Sequence, residues 1–181
     1  MYSLVASITV VSMFRKGYDN GKDYLLGGSG MANRVAPKVR LLFACDDAEQ
    51  LSDGRWVLTN PWAVLDFPPG VARLDEPKLW FYMQLAEGVG EFELSLQMRY
   101  FEADGTWRTI GRGKNPTRMD FKGAEQLRVF ERALSLANVP FEKPGIYEFR
   151  LVAVNYPEQG QMTVVEGQTA VIRVLDRRDQ I

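Results

Sequence analysis

One stretch constrains the fold more than any other: residues 133–154 read ALSLANVPFEKPGIYEFRLVAV. Apolar and polar residues alternate, the alternation breaks over residues 140–145, and it resumes after Tyr147, which is typical of a strand, a corner and a second strand. In immunoglobulin-like sandwiches, a tyrosine just past such a corner turns its hydroxyl back onto upstream backbone. We therefore expect Tyr147, two residues beyond Gly145, to be a structural residue that fixes the crossing between two sheets.

The composition suits one domain of ordinary size. At 181 residues, of which 46% are hydrophobic, the chain is long enough to bury a core without disulfides. Lys and Arg total 22 against 23 for Asp and Glu, so no overall charge attracts nucleic acid, which is disfavoured as a partner. We expect a sandwich domain over residues 39–175, an extension over residues 1–38 and a charged tail over residues 176–181.

Two absences narrow the chemistry. The chain has no histidine, which removes Ser-His-Asp and Cys-His catalysis, histidine-bound zinc and the usual general base near neutral pH. Cys45 is the only cysteine, so it cannot form an internal disulfide, and the acids that follow it disfavour its thiolate. These features predict a non-catalytic cytoplasmic protein without a cofactor. A glycosidase built on a carboxylate pair is an alternative that the sequence leaves open.

The first 38 residues allow two interpretations. Residues 4–14 form an apolar run too short to cross a bilayer, and no basic residue precedes it as in a signal peptide, so we expect no membrane insertion. This run could add an edge strand, followed by a turn at Asn20 and Gly21 and a flexible link over residues 27–30. Alternatively, translation starts at Met31, or the preceding residues are a dispensable extension.

Short apolar runs between turn residues predict an all-β fold, an immunoglobulin-like antiparallel sandwich of about eight strands. Residues 39–45 predict a buried strand that ends at an acidic turn over residues 46–49. Residues 111–123 are polar and basic and predict a long exposed loop. Residues 124–134 have apolar residues at helical spacing and predict one short helix, although their Arg-Val-Phe segment also suits a strand.

The middle of the chain predicts a three-stranded meander. Residues 78–85 and 91–100 both alternate apolar and polar side chains, and the glycine-bearing residues 87–90 between them are typical of a hairpin loop. Asp104 and Gly105 then turn the chain into a third strand.

Five short motifs follow one another along the chain: ACDDAE (residues 44–49), DGRW (53–56), FP (67–68), EGVG (87–90) before a strand, and PGIYEF (144–149). In this order they resemble a family of uncharacterised small bacterial proteins that are predicted to be β-sandwiches and are described only as a domain of unknown function. The resemblance covers residues 39–175 and leaves residues 1–38 outside. It implies the sandwich fold and no activity.

Four carboxylates lie close together in the sequence, at Asp46, Asp47, Glu49 and Asp53. Calcium prefers several oxygen ligands at such a density, which makes these residues weak metal candidates, but their spacing matches no EF-hand loop. The structural alternative, which we favour, is a solvated turn in which Asp46 caps backbone amides.

Aromatic and basic residues supply the binding candidates. An exposed aromatic cluster often marks a binding surface, although residues 4–14 could instead cover the face that carries Trp80 and Tyr82. The aromatic candidates are Trp62, Trp80, Tyr82 and Trp107. The one basic cluster comprises Arg108, Arg112, Lys114, Arg118 and Lys122. Its binding candidates are Arg112 and Arg118, for a phosphate or an acidic partner, and the alternative is a loop of solvated charges.

Together these patterns favour an interaction module over an enzyme. We expect a protein partner, or self-association, through an exposed sheet edge or an aromatic face. The alternative is a carbohydrate or small-molecule module that uses an exposed tryptophan face, with calcium at the acidic turn.

Overall fold

A computed structural model describes residues 7–10, 34–114, 116–121, 129–155 and 162–176. These residues form twelve strands and no helix. The strands in chain order are β1 (Ser7–Val10), β2 (Lys38–Gln50), β3 (Trp56–Trp62), β4 (Val64–Phe67), β5 (Leu74–Ala86), β6 (Gly90–Phe101), β7 (Trp107–Arg112), β8 (Thr117–Phe121), β9 (Phe130–Phe141), β10 (Gly145–Asn155), β11 (Thr163–Val164) and β12 (Ala170–Asp176).

The strands form two sheets. The first has the order β1-β3-β2-β5-β9, and all of its neighbours are antiparallel. The second has the order β4-β12-β10-β6-β7, with β8 paired to β6 beside β7 and β11 paired to β10. Only the β4–β12 pair is parallel among the described strands. The chain is therefore all-β and mostly antiparallel.

The main core lies between the two sheets. Alternate residues of β5 point into it from the first sheet, and alternate residues of β6 and β10 point into it from the second. The rings of Phe81 and Phe149 meet across the sheets with their centroids 4.6 Å apart. Because one buried cluster joins side chains of both sheets, the sheets pack face to face.

A second buried cluster lies on the outer face of the first sheet. Its members are buried although they alternate with residues of the main core, as Tyr82 does between Phe81 and Met83. The first sheet is therefore apolar on both faces. The buried members are Cys45, Ala48, Trp56, Leu58 and Tyr82, and Leu41, Phe43, Trp80 and Ala133 pack against them.

Two asparagines in the left-handed backbone conformation mark places where the alternation shifts by one residue. Asn60 has φ 44° and Asn138 has φ 52°, values that asparagine tolerates better than most residues. Leu136 and Val139 are three positions apart, so in a regular strand their side chains would point to opposite faces of the sheet. Both nevertheless pack on the main core. The shift at Asn138 lets β9 follow the core beyond the point where a regular strand would turn its apolar side chains outward.

The corner between β9 and β10 carries the chain from the first sheet to the second. The Tyr147 hydroxyl donates a 2.7 Å hydrogen bond to the carbonyl oxygen of Lys143. The Tyr100 hydroxyl donates to the carbonyl oxygen of Pro144 at 3.2 Å. Gly145 has φ 147°, and a Cβ there would lie 2.6 Å from the Tyr100 ring. Glycine is therefore required at this position.

Several sequence predictions are wrong at the level of connectivity. β5 and β6 lie in different sheets, so residues 87–90 cross between the sheets and do not close a hairpin. The predicted meander is reduced to β6 and β7, which the turn at Asp104 and Gly105 does join. The prediction of about eight strands understates the twelve observed.

Other errors concern single elements. The predicted acidic turn is part of β2, because residues 46–49 continue the pairing with β3. The predicted basic loop contains β8, which pairs with β6. Phe130–Phe141 forms β9, so the helix prediction fails for residues 130–134, while residues 124–128 lie outside the described residues.

Candidate functional site

A cavity of about 410 Å³ lies between the two sheets at their shared side, where β9 borders the first sheet and β7 borders the second. Residues 135–140 of β9 line it, and they face residues 110–114, which include the end of β7 and the two residues after it. Since neighbouring strand residues point to opposite faces, an uninterrupted lining means that the cavity follows the strand edges. Its lining comprises Leu96, Met98, Ile110, Gly111, Arg112, Gly113, Lys114, Ser135, Leu136, Ala137, Asn138, Val139 and Pro140.

A second cavity of about 240 Å³ continues the first. The two share Leu96, Gly113, Ser135 and Leu136. The second cavity extends to Trp80 on β5 and adds Ser95, Thr117, Ala133 and Leu134 to the lining. We call the two cavities together the edge cleft. Its length follows β9 from Ala133 to Pro140.

The far wall of the edge cleft is fixed by Gly113. Its N–H donates to the carbonyl oxygen of Leu96 at 2.9 Å, and its own carbonyl oxygen accepts from the Ser95 hydroxyl at 2.9 Å. A Cβ on Gly113 would lie 2.8 Å from Leu136 Cδ2, so a larger residue would push on the opposite wall. Glycine therefore lets the two strand edges approach closely while hydrogen bonds hold the backbone of the wall.

The edge cleft carries two positive charges without an acidic counterpart. Arg112 and Lys114 are exposed and pair with no carboxylate among the described residues, and Arg112 Nη1 donates to Met162 Sδ at 3.0 Å. The described residues that line the cleft include no Asp or Glu. The combination of an aliphatic floor and two cations at the rim favours a ligand with apolar and anionic groups.

The other members of the predicted basic cluster are neutralised or lie elsewhere. Arg108 contacts Glu102 at 2.6 Å and Glu142 at 3.1 Å, and Arg118 on β8 pairs with Glu91. Lys122 lies outside the described residues. Of the two leading basic candidates, the structure thus places Arg112 at the cleft and Arg118 in an ion pair. Lys114, Leu136 and Ser135 are site residues to which the sequence analysis gave little or no weight.

The tryptophans do not share one surface. Trp62 packs partly buried against the main core, whereas Trp56 belongs to the outer cluster of the first sheet. Trp107 on β7 contacts Phe101, with ring centroids 5.0 Å apart, and the Arg99 guanidinium lies 4.9 Å from its ring. This arrangement offers no common stacking face for a sugar.

Trp80 and Tyr82 lie on the same side of β5 and differ in access. Lys78 Nζ lies 4.3 Å from the centroid of the half-buried Trp80 ring, which reaches the edge cleft. Tyr82 is fully buried, and its hydroxyl donates to Glu131 Oε1 at 2.7 Å. Burial, followed by the hydrogen bond to Glu131, raises the pKa of Tyr82. Tyr82 is therefore inaccessible to a ligand.

Three of the four carboxylates of the acidic segment make separate local contacts. Asp46 Oδ2 accepts from the Asn60 side chain at 2.9 Å, and within the described residues it accepts from no backbone N–H, contrary to the predicted cap. Asp47 accepts from the backbone N–H of Ala48, and Asp53 forms an ion pair with Arg55 at 2.6 Å. Glu49 is exposed on β2. Among the described residues, no group of three or more His, Cys, Asp or Glu side chains is placed to hold a metal ion.

Cys45 is the one thiol of the chain, and its surroundings keep it protonated. It is fully buried in the outer cluster of the first sheet, directly across the β2–β5 pair from Trp80, and it is not among the residues that line the edge cleft. Burial raises its pKa to about 11, with smaller contributions from Asp47 and Asp46. A thiol with so high a pKa is a poor nucleophile at neutral pH.

The fold and cleft define a two-sheet β protein with a groove between strand edges. No protein-family model matches the chain, and no curated protein matches it. The resemblance to the bacterial family of unknown function therefore stays a prediction. Within the described residues, no helix is long and apolar enough to span a bilayer.

Proposed function

We propose that this chain is a non-catalytic, immunoglobulin-like β-sandwich module that binds a protein partner through the edge cleft. The observation that carries the proposal is the pairing of an aliphatic floor with the charges of Arg112 and Lys114, which no carboxylate of the described residues neutralises. A floor of Leu96, Met98 and Leu136 accepts apolar side chains, and a charged rim selects among partners.

The chemistry of the cleft supports binding over catalysis. The sequence supplies no histidine, and the described lining residues supply no carboxylate or thiol. Ser95, one of the lining hydroxyls, donates its hydrogen bond to the Gly113 carbonyl oxygen. Without a neighbouring base, a serine is not activated as a nucleophile. A reducing compartment, the cytoplasm, is the setting that we propose, because Cys45 has no cysteine with which to pair.

Site-specific photo-crosslinking tests the proposal. The full chain is prepared with Ala137→p-benzoylphenylalanine, at an exposed position that lines the cleft and leaves both rim charges in place, and separately with Arg173→p-benzoylphenylalanine. Each form is irradiated in lysate from the source organism. Arg173 is exposed on β12, away from the cleft lining, and makes no ion pair among the described residues, so it is a matched control. We expect position 137 to form a discrete protein adduct that is absent at position 173.

Competition then separates cleft binding from chance contact. An excess of the unmodified chain should abolish the adduct, whereas an excess of the Arg112→Glu, Lys114→Glu double variant should not. An adduct of twice the chain mass would identify a second copy as the partner, which is the self-association form of the proposal. Equal labelling at positions 137 and 173, or none at position 137, would contradict the proposal.

A further inference from the structure

We infer that the occupant of the edge cleft is an extended acidic peptide segment that adds to β9 as a further strand. This inference rests on the proposed function and names the chemistry of the partner.

The edge of β9 is available for a strand. Within the described part of the chain, β9 pairs only with β5, and β7 across the cleft pairs only with β6. An edge strand presents a row of N–H and C=O groups that an extended peptide can pair with. The cleft lies directly along these groups, because residues 135–140 line it without interruption.

The strand addition has a defined end. Pro140 has no N–H to donate, and Asn138 has the left-handed φ of 52°, which interrupts regular strand geometry. A continuous ladder is therefore restricted to the part of β9 before Asn138. Leu134 and Leu136 in that part are half-buried and face the cleft, where alternate apolar side chains of a peptide can pack on them.

The rim charge selects an acidic peptide. Arg112 and Lys114 stand two residues apart, on the wall opposite Leu136, and neither is neutralised within the described chain. Arg108 and Arg118 show that this protein pairs its nearby arginines with glutamates. A peptide that alternates apolar and acidic residues would send its apolar side chains to the floor and its carboxylates to the rim.

A nucleic acid fits the site less well. Binding of a single strand relies on a track of cations and on aromatic rings for base stacking. The edge cleft offers two cations and one described aromatic ring, Trp80, on an aliphatic floor. Two contacts of this kind suit a short acidic peptide better than a polynucleotide.

A selection experiment tests the inference. A random library of displayed peptides, about 12 residues long, which span a typical strand, is selected on the full chain. Selected peptides are synthesised and their dissociation constants measured by fluorescence anisotropy. Each is also tested with alternate backbone amides N-methylated, which removes strand hydrogen bonds and keeps the side chains. A 12-nucleotide oligothymidine serves as the competing polyanion.

Three variants of the full chain locate the binding. Arg112→Glu with Lys114→Glu reverses the rim charge, Leu136→Asp places an acid on the floor, and Arg173→Glu is the control on an exposed position outside the cleft. Circular dichroism and urea unfolding verify that each variant is folded. If Leu136→Asp does not fold, the Arg112→Glu, Lys114→Glu double variant still tests the cleft, because both of its residues are exposed.

The expected result is a set of peptides that alternate apolar and acidic residues. Their affinity should fall at least about tenfold with rim reversal, stay unchanged with Arg173→Glu, and be lost on N-methylation. Among residues 133–137, the alternate amides that point away from β5 should gain protection from hydrogen exchange in the complex.

The results separate a failure of this inference from a failure of the proposed function. Peptides that depend on Leu136 but are neutral or basic, or that tolerate N-methylation, would overturn the inference and leave the proposed function standing. Cleft-dependent binding of oligothymidine that is tighter than that of any peptide would replace the peptide by a nucleic acid. A failure to select any peptide sensitive to the cleft variants would overturn both proposals.

Discussion

The Tyr147 hydroxyl and the backbone of Lys143 form a closed pair of hydrogen bonds. The hydroxyl donates to the Lys143 carbonyl oxygen at 2.7 Å, and its oxygen accepts from the Lys143 N–H at 3.2 Å. The Tyr147 ring lies in the core against Phe141 and Tyr100, with centroids 4.9 Å and 5.0 Å away. One side chain therefore ties the connection between the sheets to the core, which sets the position of β9 and of the edge cleft.

Replacement of Tyr147 by phenylalanine keeps the ring and removes both hydrogen bonds. The Lys143 backbone groups then lose two partly buried hydrogen bonds, so we expect the free energy of unfolding to fall by about 1–3 kcal/mol in total. Urea unfolding measures the change. Tyr100→Phe is the matched comparison, because its single bond to the Pro144 carbonyl oxygen is longer, at 3.2 Å, and its loss should be smaller. A Tyr147→Phe variant as stable as the parent would show that these hydrogen bonds do not stabilise the corner.

The corner was predictable from the sequence because its determinants are local. The alternation on both sides, the break at Pro140 to Gly145 and the tyrosine just beyond lie within 22 consecutive residues, 133–154. A strand, a turn and a hydroxyl that reaches four residues back need no information from distant parts of the chain.

The partners of each strand were less predictable. The segment 87–90 has the glycines of a hairpin loop, yet it takes the chain from β5 to β6 in the other sheet. β5 pairs instead with β2 and β9, which are distant in sequence. Because both faces of β5 are apolar, its sequence pattern does not predict which strands pair with it. The same ambiguity hid the strand at Phe130–Phe141, where apolar spacing also suits a helix.

The cleft was predictable only in part. The basic cluster was visible in the sequence, but the distinction between its members depends on glutamates at positions 91, 102 and 142, which the fold brings to Arg118 and Arg108. The floor is assembled from β6, β7 and β9, so no local pattern indicates it. The glycine between Arg112 and Lys114 was the one local signal of a close backbone approach.

Gly167 is predicted to be intolerant of any side chain. It has φ 122°, and a Cβ would lie 2.0 Å from the Val39 carbonyl oxygen, which accepts from the Gln168 N–H at 3.0 Å. Since the obstruction is backbone, Gly167→Ala should reduce the free energy of unfolding by more than about 2 kcal/mol. Gly111→Ala is the control, with open space around its Cβ position and no positive φ. Equal thermal midpoints for the two variants would contradict the close approach.

The buried pair of Tyr82 and Glu131 should behave as one unit. Glu131 is 8% exposed, and Glu131 Oε1 accepts from the Tyr82 hydroxyl at 2.7 Å and from Gln84 Nε2 at 3.0 Å. Tyr82→Phe and Glu131→Leu each leave a buried polar group with fewer partners, whereas the double variant removes both groups. We expect a coupling of about 1–3 kcal/mol in a double-mutant cycle followed by urea unfolding. Additive losses would mean that the hydrogen bond contributes nothing to stability.

We expect the folded protein to lose stability at alkaline pH because of the Cys45 thiol. Burial, with help from Asp47 and Asp46, raises the pKa of the thiol from 9.0 to about 11 in the folded chain. Because the folded pKa is the higher one, the unfolded chain loses its thiol proton first as the pH rises. The stabilisation is complete below pH 9 and is lost as the pH approaches 11, by about 2 kcal/mol.

Cys45→Ala isolates this effect from the tyrosines, which titrate in both proteins. Urea unfolding at pH 8, 9, 10 and 11 under reducing conditions gives the free energy of unfolding of each protein. We expect the parent to lose about 2 kcal/mol more than the variant between pH 8 and 11. Parallel curves would show that the thiol titrates alike in the folded and unfolded chains, as it would if water reached it. A thiol reagent at pH 8 gives an independent check, because a buried Cys45 should react only after denaturant is added.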